Sequence, residues 1–518
     1  MITWQRNRSG RSFEGRLQRA MLNYASTLLF TVATVCQALV ATPFLLWWLG
    51  VEEFGALRAL TDWMAYLSLL PLGVLGGLSP LLAQSLARND TRNLHGIMAA
   101  GVKALLVLAF VTLLCGAVLA TAIPKLIPVE PRLLSDLKMA GWVSVPFVFL
   151  VVLLPFRILT EARQQTFVIN LFLLLQALTS IAAALFLAWA GWGISGQVFA
   201  ASISAIVFLV MVCAYEWHHV THVMRLLFQV RTDPQHWSAI WALSGPTVLR
   251  QLCGRLSVLS DNIIVAALIG PAAVAPFFLS QRLPSLAMGQ LQGLGSASWA
   301  AFSELYHTGH HEIFNRRLVE LIRVVSVLSV AVLVPIAAYN GHFVRRWVGT
   351  ELYAGDLVTA VAVVNAFLLA VVTTADMAIG CTGHVRKLAT ISVIATSINL
   401  SLSLALTPRF GVLGPLLGTL VSILATHLWY VPRLLHRLFG TPVPDLARAV
   451  GIPLLSAYPY ATIVWSVSRC HEPAGWLGLA AEMGTATIAY LAVAWGLIFT
   501  LEERQTWVAR TRRICGTA

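Results

Sequence analysis

The stretch LGVEEFGALRALTDWMAYLSLLPLGVLGGLSPLLAQSL, residues 49–86, decides the fold. Its part 59–86 is an apolar run long enough to cross a bilayer, since a helix needs about 20 residues to span roughly 30 Å of hydrocarbon. A similar stretch, IGPAAVAPFFLSQRLPSLAMGQLQGLGSASWAAFSEL, begins 220 residues later at Ile269. Aligned without a gap, Gly50 falls on Gly270, Phe54 on Val274, Gly55 on Ala275 and Gly73 on Gly293. The pair Gly76-Gly77 falls on Ser296-Ala297. A second match has a nearly equal offset: GWGISGQ from Gly191 and RFGVLGP from Arg409, with Gly193 and Gly196 on Gly411 and Gly414. The chain reads as two copies of one helical membrane unit.

Composition agrees. Of 518 residues, 58% are apolar and 11% charged, whereas soluble domains carry about 25% charged residues. Only lipid can solvate so apolar a surface. Apolar spans fall at 21–48, 59–86, 97–123, 139–159, 166–189, 194–215, 241–268, 271–303, 318–340, 357–382, 388–406, 412–432, 447–468 and 476–500. The fold class is therefore an all-α polytopic membrane protein of about 14 transmembrane helices, with two pseudo-symmetric six-helix lobes plus two C-terminal helices. A basic N-terminal segment (1–20) leads into the N-lobe (21–215), and a connection (216–240) leads into the C-lobe (241–432). Helices 13 and 14 occupy 433–500, and a basic tail 501–518 follows. Six helices per copy give both the same orientation, so the symmetry axis runs along the membrane normal.

Basic residues orient the chain, because they concentrate on the cytoplasmic side. With the N-terminus inside, 23 of the 35 Lys and Arg fall in inside segments and 8 in outside loops. Both termini are expected in the cytoplasm, and the net charge of +13 is mostly this topology signal. The charges form no patch for nucleic acid. The first apolar run exceeds the 7–15 residues of a signal-peptide core and reads as a membrane helix. Seven scattered cysteines make no disulfide framework. The clusters His218-His219-x-x-His222 and His307-x-x-His310-His311 lack the acid or thiol that completes a tetrahedral metal set, so they read as interfacial polar residues. Tryptophans at 47, 48, 142, 192, 347 and 476 read as interfacial belts.

The motif Leu49-Gly50-x-x-x-Phe54-Gly55, then Leu72-Gly73, resembles the polysaccharide transporter family of lipid-linked oligosaccharide flippases. That family belongs to the multidrug and oligosaccharidyl-lipid exporter superfamily. The stretch Ser260-Asp261-Asn262-Ile263-Ile264-Val265 through Leu268-Ile269-Gly270 looks like its signature at the second half, and Phe410-Gly411-Val412-Leu413-Gly414 like its motif before helix 12. The resemblance covers roughly residues 15–440. It implies a V-shaped pair of six-helix lobes and alternating access for an undecaprenyl-pyrophosphate-linked glycan in a bacterial inner membrane. Membrane lipid, a polysaccharide polymerase and other glycan-assembly proteins are the implied partners. Pro276 departs from the aromatic or small helix formers of many members, which leaves the geometry of helix 8 open.

Charges inside spans must face a cavity or a partner. Arg250 and Arg255 lie inside helix 7, and Arg282 inside helix 8. Arginine pairs bidentately with phosphate oxygens, so these three are candidates for a diphosphate headgroup. The alternative is that Arg250 pairs with Asp261 or another buried acid as structural glue between helices. Polar stripes on helix 1 (Asn23, Thr27, Gln37), helix 8 (Gln281) and helix 11 (Asn399) are candidates for sugar hydroxyls, or serve helix–helix hydrogen bonding. Asp376 and Asp261 are the candidate ion-coupling acids; Asp376 has no arginine within a turn of its helix, while Asp261 shares one with Arg250 and Arg255.

A drug exporter of the same superfamily shares this architecture, but cationic drugs do not call for interior arginines. A glycan polymerase or ligase would present catalytic groups on a sizeable outer loop, and the outer loops are short. No nucleotide-binding loop, cofactor motif or metal set is present in the sequence. Reporters fused after Arg225 or Arg386 are expected to read as cytoplasmic, and those after Lys125 or Arg346 as external. An external signal at Arg386 removes the fourteen-span arrangement.

Overall fold

The computed structural model describes the backbone of residues 3–69, 71–88, 90–229, 234–499 and 504–505, with the side chains of 3–21, 24, 72, 87 and 226–248 left out. Among the described residues there are helices and no strands. Two compact units divide the chain, 1–275 and 276–518. The first holds α1 (Thr3–Leu49), α2 (Val51–Leu67), α3 (Leu72–Ala87), α4 (Thr91–Leu126), α5 (Leu134–Phe147) and α6 (Leu154–Ala162). It continues with α7 (Thr166–Trp189), α8 (Gly193–Tyr215), α9 (Trp217–Gln229) and α10 (Pro234–Leu268), and α11 (Pro271–Ser280) crosses the division. The second holds α12 (Arg282–Ala297), α13 (Trp299–His307), α14 (His311–Val348), α15 (Asp356–Gly380) and α16 (Val385–Phe410). There follow α17 (Gly414–Ala425), α18 (His427–Phe439), α19 (Val443–Cys470) and α20 (Gly475–Leu497).

Eleven stretches among the described residues are long and apolar enough to span a bilayer. One of them, Val385–Phe439, contains both spans read at 388–406 and 412–432. Two other spans read from the sequence are broken helices. The run 59–86 becomes α2 and α3, with Pro71, which has no N–H to donate, capping α3. The run 271–303 becomes α11, α12 and α13, and α11 continues through Pro276. The count of fourteen passes is thus approximate. The connection 216–240 is also partly helical, as α9, which packs on α4. By packing, the helix that opens the second sequence copy belongs to the first unit, because α10 lies on α2 and α3.

Burial separates helices that face protein from those that face lipid. In its most apolar window α14 is 61% buried and α7 only 11%. The core of α14 packs on α15, α19 and α20, whereas α7 exposes Leu171, Leu178 and Phe186, as suits a hydrocarbon solvent. In the first unit Val74, Leu78 and Leu82 of α3 interdigitate with Leu94, Met98 and Leu105 of α4.

The glycine motifs have direct structural causes. The glycines paired by the repeat, Gly50 with Gly270 and Gly193 with Gly411, all have positive φ, at +80°, +129°, +55° and +59°. Gly193 begins α8, where the backbone amides of Ile194 and Ser195 donate to the Asp136 carboxylate at 2.6 and 3.2 Å. A Cβ on Gly193 would stand 2.4 Å from Glu53 Oε1 and 2.5 Å from Asp136 Oδ2. Carboxylates suit a helix N-terminus because its free N–H groups carry partial positive charge. Burial, and next the charge of Asp136, push the Glu53 carboxyl above its ordinary range. The acids come from α2 and α5, so one cap ties three helices.

Gly55 makes the tightest approach: a Cβ there would lie 1.9 Å from the Pro271 carbonyl oxygen. Backbone cannot yield as a flexible side chain does. Gly55→Ala is expected to destabilise the purified protein by about 1–3 kcal/mol, the usual cost of overpacking. Gly76→Ala, which meets nothing within 4 Å, is the control. Equal thermal midpoints for the two variants would show that the α2–α11 contact is loose.

Candidate functional site

The three arginines differ in setting. On α10, Arg250 is half-buried and Arg255 exposed, while Arg282 is the half-buried first residue of α12. Arg282 holds its guanidinium 5.9 Å from the Phe278 ring centre, within reach of a cation–π attraction. Among the described residues none of the three forms an ion pair. Arg250 and Arg255 belong to the first unit and Arg282 to the second. Pairing of Arg250 with Asp261, the structural alternative, does not occur.

Most of the polar stripes are engaged in packing. Asn23 donates to the Gln164 carbonyl at 3.2 Å and accepts from the Phe167 amide at 2.8 Å, fastening α1 to the start of α7. Thr27 donates to the Asn23 carbonyl at 2.8 Å and accepts from Asn170 at 2.9 Å. Asn399, 1% exposed, donates to Thr419 at 2.8 Å in the seam between α16 and α17. That seam is close because a Cβ on Gly418 would meet Ser403 Oγ at 2.4 Å. Gln281 turns back to the Phe277 carbonyl at 3.3 Å. Gln37 is half-buried and makes no hydrogen bond to the described residues. Asn23, Thr27 and Asn399 therefore act here as helix-packing groups.

An acid pair emerges that the sequence kept apart. Asn262 on α10 donates to Asp62 on α2 at 2.7 Å. Asp261 is the chain neighbour of Asn262, and Arg58 lies one turn before Asp62 on α2. Tyr66 follows one turn later on the same face of α2. Asp261 Oδ1 is enclosed and has no hydrogen-bond partner among the described residues. Two carboxylates held together in a low dielectric are stable only with a proton or a cation to offset one charge. Spacing gave one signal for this site: Arg58, Asp62 and Tyr66 recur every fourth residue, on one helix face. Asp376, 8% exposed on α15, lies apart in the second unit beside the apolar cluster of Ala375, Met377 and Ala378.

A model of the polysaccharide biosynthesis protein family matches residues 21–306, more than half the chain. The chain belongs to that family. No curated protein sequence matches it. Among solved structures, the lipid II flippase MurJ in an inward closed conformation matches with a TM-score of 0.68 at 12% identity, covering 92% of this chain and 100% of that one. An inward-facing multidrug resistance MATE transporter of the MOP superfamily matches with a TM-score of 0.60 at 16% identity, covering 85% and 99%. A mutant MATE transporter from Vibrio cholerae matches at 0.58 and 15% identity, covering 82% and 98%. At such identities the likeness is one of fold: this family member is a multi-pass membrane protein built like these transporters.

The family member has two further polar sites. Inside its first unit is a cavity of about 580 Å³, mainly apolar, with Thr61, Gln176, Gln197 and Arg157 on its wall. No residue singled out from the sequence reaches it, because each helix contributes isolated polar groups rather than a stripe. The other gathers His218, His219 and His222 with His95 of α4. His95 Nε2 lies 3.1 Å from His219 Nδ1, and the His95 and His222 rings stack at 5.2 Å. Arg163 contacts His219 and pairs with the buried Glu216 at 2.9 Å. Among the described residues no three His, Cys, Asp or Glu have metal-binding geometry.

Burial, and next the Arg163 guanidinium, push His219 from 6.5 down to about 4. The unfolded chain then takes up a proton that the folded one refuses, so stability falls as pH drops from 6.5 toward 4. Thermal midpoints are expected to decline across that window, and less steeply in His219→Gln. Identical slopes would remove His219 as a source of the acid sensitivity.

Proposed function

We propose that this protein is a flippase that moves a lipid-linked oligosaccharide, carried on undecaprenyl pyrophosphate, across the bacterial inner membrane by alternating access. It serves cell-surface polysaccharide assembly as a transporter rather than an enzyme, with both termini in the cytoplasm and a polysaccharide polymerase as its functional neighbour. The carrying observation is that Arg250, Arg255 and Arg282 lie in spans or at their breaks without an ion pair among the described residues. Unpaired cations at membrane depth are costly unless an anion meets them, and a diphosphate is such an anion. Family membership supports the glycan. A cationic drug would gain nothing from these arginines.

Coupling to an ion gradient is assigned to the Asp62–Asp261 pair, with Asp376 as a separate buried acid. The pair suits a site that takes up and releases a proton or cation, because its charge needs an offset.

Arg255→Ala and Arg282→Ala are each expected to lower glycan export by roughly 10- to 100-fold, the worth of one charge-assisted hydrogen bond of about 1.5–3 kcal/mol. Lysine should restore only part, since an ammonium keeps the charge and loses the planar fork. Full export by both alanine variants, at normal membrane levels, overturns the cation role. In vesicles with an imposed proton or sodium gradient, Asp261→Asn and Asp62→Asn should flatten the dependence on that gradient while leaving substrate binding in place. If only Asp376→Asn does so, coupling belongs to the second unit.

A further inference from the structure

In the second unit, α16, α17 and α18 enclose a groove of about 540 Å³. Lys387 stands at its rim, in the first turn of α16. Arg433 and Arg437, one turn apart on α18, complete the rim. All three are exposed, and among the described residues no carboxylate pairs with any of them. The α16–α17 hairpin returns the chain so that the end of α18 lies beside the start of α16. Three like charges are thereby gathered at one end of the helices.

Below the rim the groove changes character. Ile391, Ile394 and Ile398 follow Lys387 along one face of α16. At 1.5 Å per residue, Ile398 lies about 16 Å from Lys387 along the axis, about half of a 30 Å hydrocarbon core. Trp429 lines the α18 side and is 59% exposed, and Ile394 is 47% exposed, so the groove opens sideways. A free anion would use the rim and leave the apolar trough empty. A neutral lipid would use the trough and leave the cations unmatched.

We infer that this groove binds an anionic glycerophospholipid, its phosphate held by Lys387, Arg433 and Arg437 and an acyl chain lying along Ile391, Ile394 and Ile398. Basic pockets between helices are suited to anionic headgroups by charge. The occupant is distinct from the transported glycan, and the groove uses none of the arginines assigned to that substrate.

Native mass spectrometry of the full-length protein in detergent, titrated with phosphatidylglycerol or phosphatidylcholine, tests it. At least a tenfold preference for phosphatidylglycerol is expected, weakening at high salt. It should fall to near unity in the triple variant Lys387→Gln, Arg433→Gln, Arg437→Gln, checked for folding by circular dichroism. Ile394→Trp, which fills the trough and keeps the cations, should also weaken binding. The inference is overturned if the triple variant keeps the preference, or if soluble glycerol phosphate displaces the lipid as well as another lipid does. Stronger binding of a polyprenyl pyrophosphate would overturn it too, as would a photo-crosslinker at position 429 labelling a neighbouring protein instead of lipid.

Discussion

The first unit is organised by a near-contact of two backbones, where α2 passes the Pro271 carbonyl with only the hydrogen of Gly55 between them. No other residue fits there. That approach draws the end of the α10–α11 segment onto α2, and two turns further along α2 it leaves Asp62 opposite Asn262. The acid pair is thus a consequence of a packing constraint several residues away. Small residues serve membrane helices in this way because lipid offers no hydrophobic gain for association, and close van der Waals contact must supply it.

Polar side chains in the bilayer fall into two populations. Those of α1 and α16 are spent on neighbouring helices: Asn23 and Thr27 on α7, Asn399 on α17. Asn340 and Asn365 do the same for α14 and α15, reaching the Ser280 and Leu416 carbonyls. The second population is ionisable and forms no ion pair among the described residues, as at Asp261 and the three arginines. A molecule that must hold a rigid scaffold and also admit a charged headgroup needs both. Amides and hydroxyls suit the scaffold because burying a neutral group with one hydrogen bond costs far less than burying an unmatched charge.

The groups outside the spans show the same economy. Asp136 and Glu53 share the start of α8, and Arg163 joins Glu216 to the histidines. The histidine cluster is built from two helices distant in sequence, and burial, next its positive neighbour, lowers the His219 pKa. These contacts lie at helix ends, where charge is matched by free amides or an opposite charge. Nothing comparable is available to Asp261.

Hydropathy is a sum over neighbouring residues, so the chain alone determined that it lives in a membrane, roughly how many times it crosses, and where its glycine turns lie. It also carried the family, through Gly50, Phe54, Gly55 and the motif at Phe410–Gly414, whose glycines owe their presence to backbone geometry. Helical spacing assigns polar residues to common faces. What it could not decide is which helix each face meets. Asp261 was read against the arginines of its own helix, and the fold sets it beside Asp62, whose hydrogen-bonded neighbour Asn262 is 200 residues away. For Asn399 both a cavity and a helix seam stayed open in the sequence, and the small Gly418 brings α17 against it. The break of 59–86 into shorter helices likewise escaped a hydropathy window, which does not register backbone direction, whereas the length of 271–303 left room for a turn. Long-range shape complementarity chooses partners among helices of equal hydrophobicity, and only the tertiary structure holds that information.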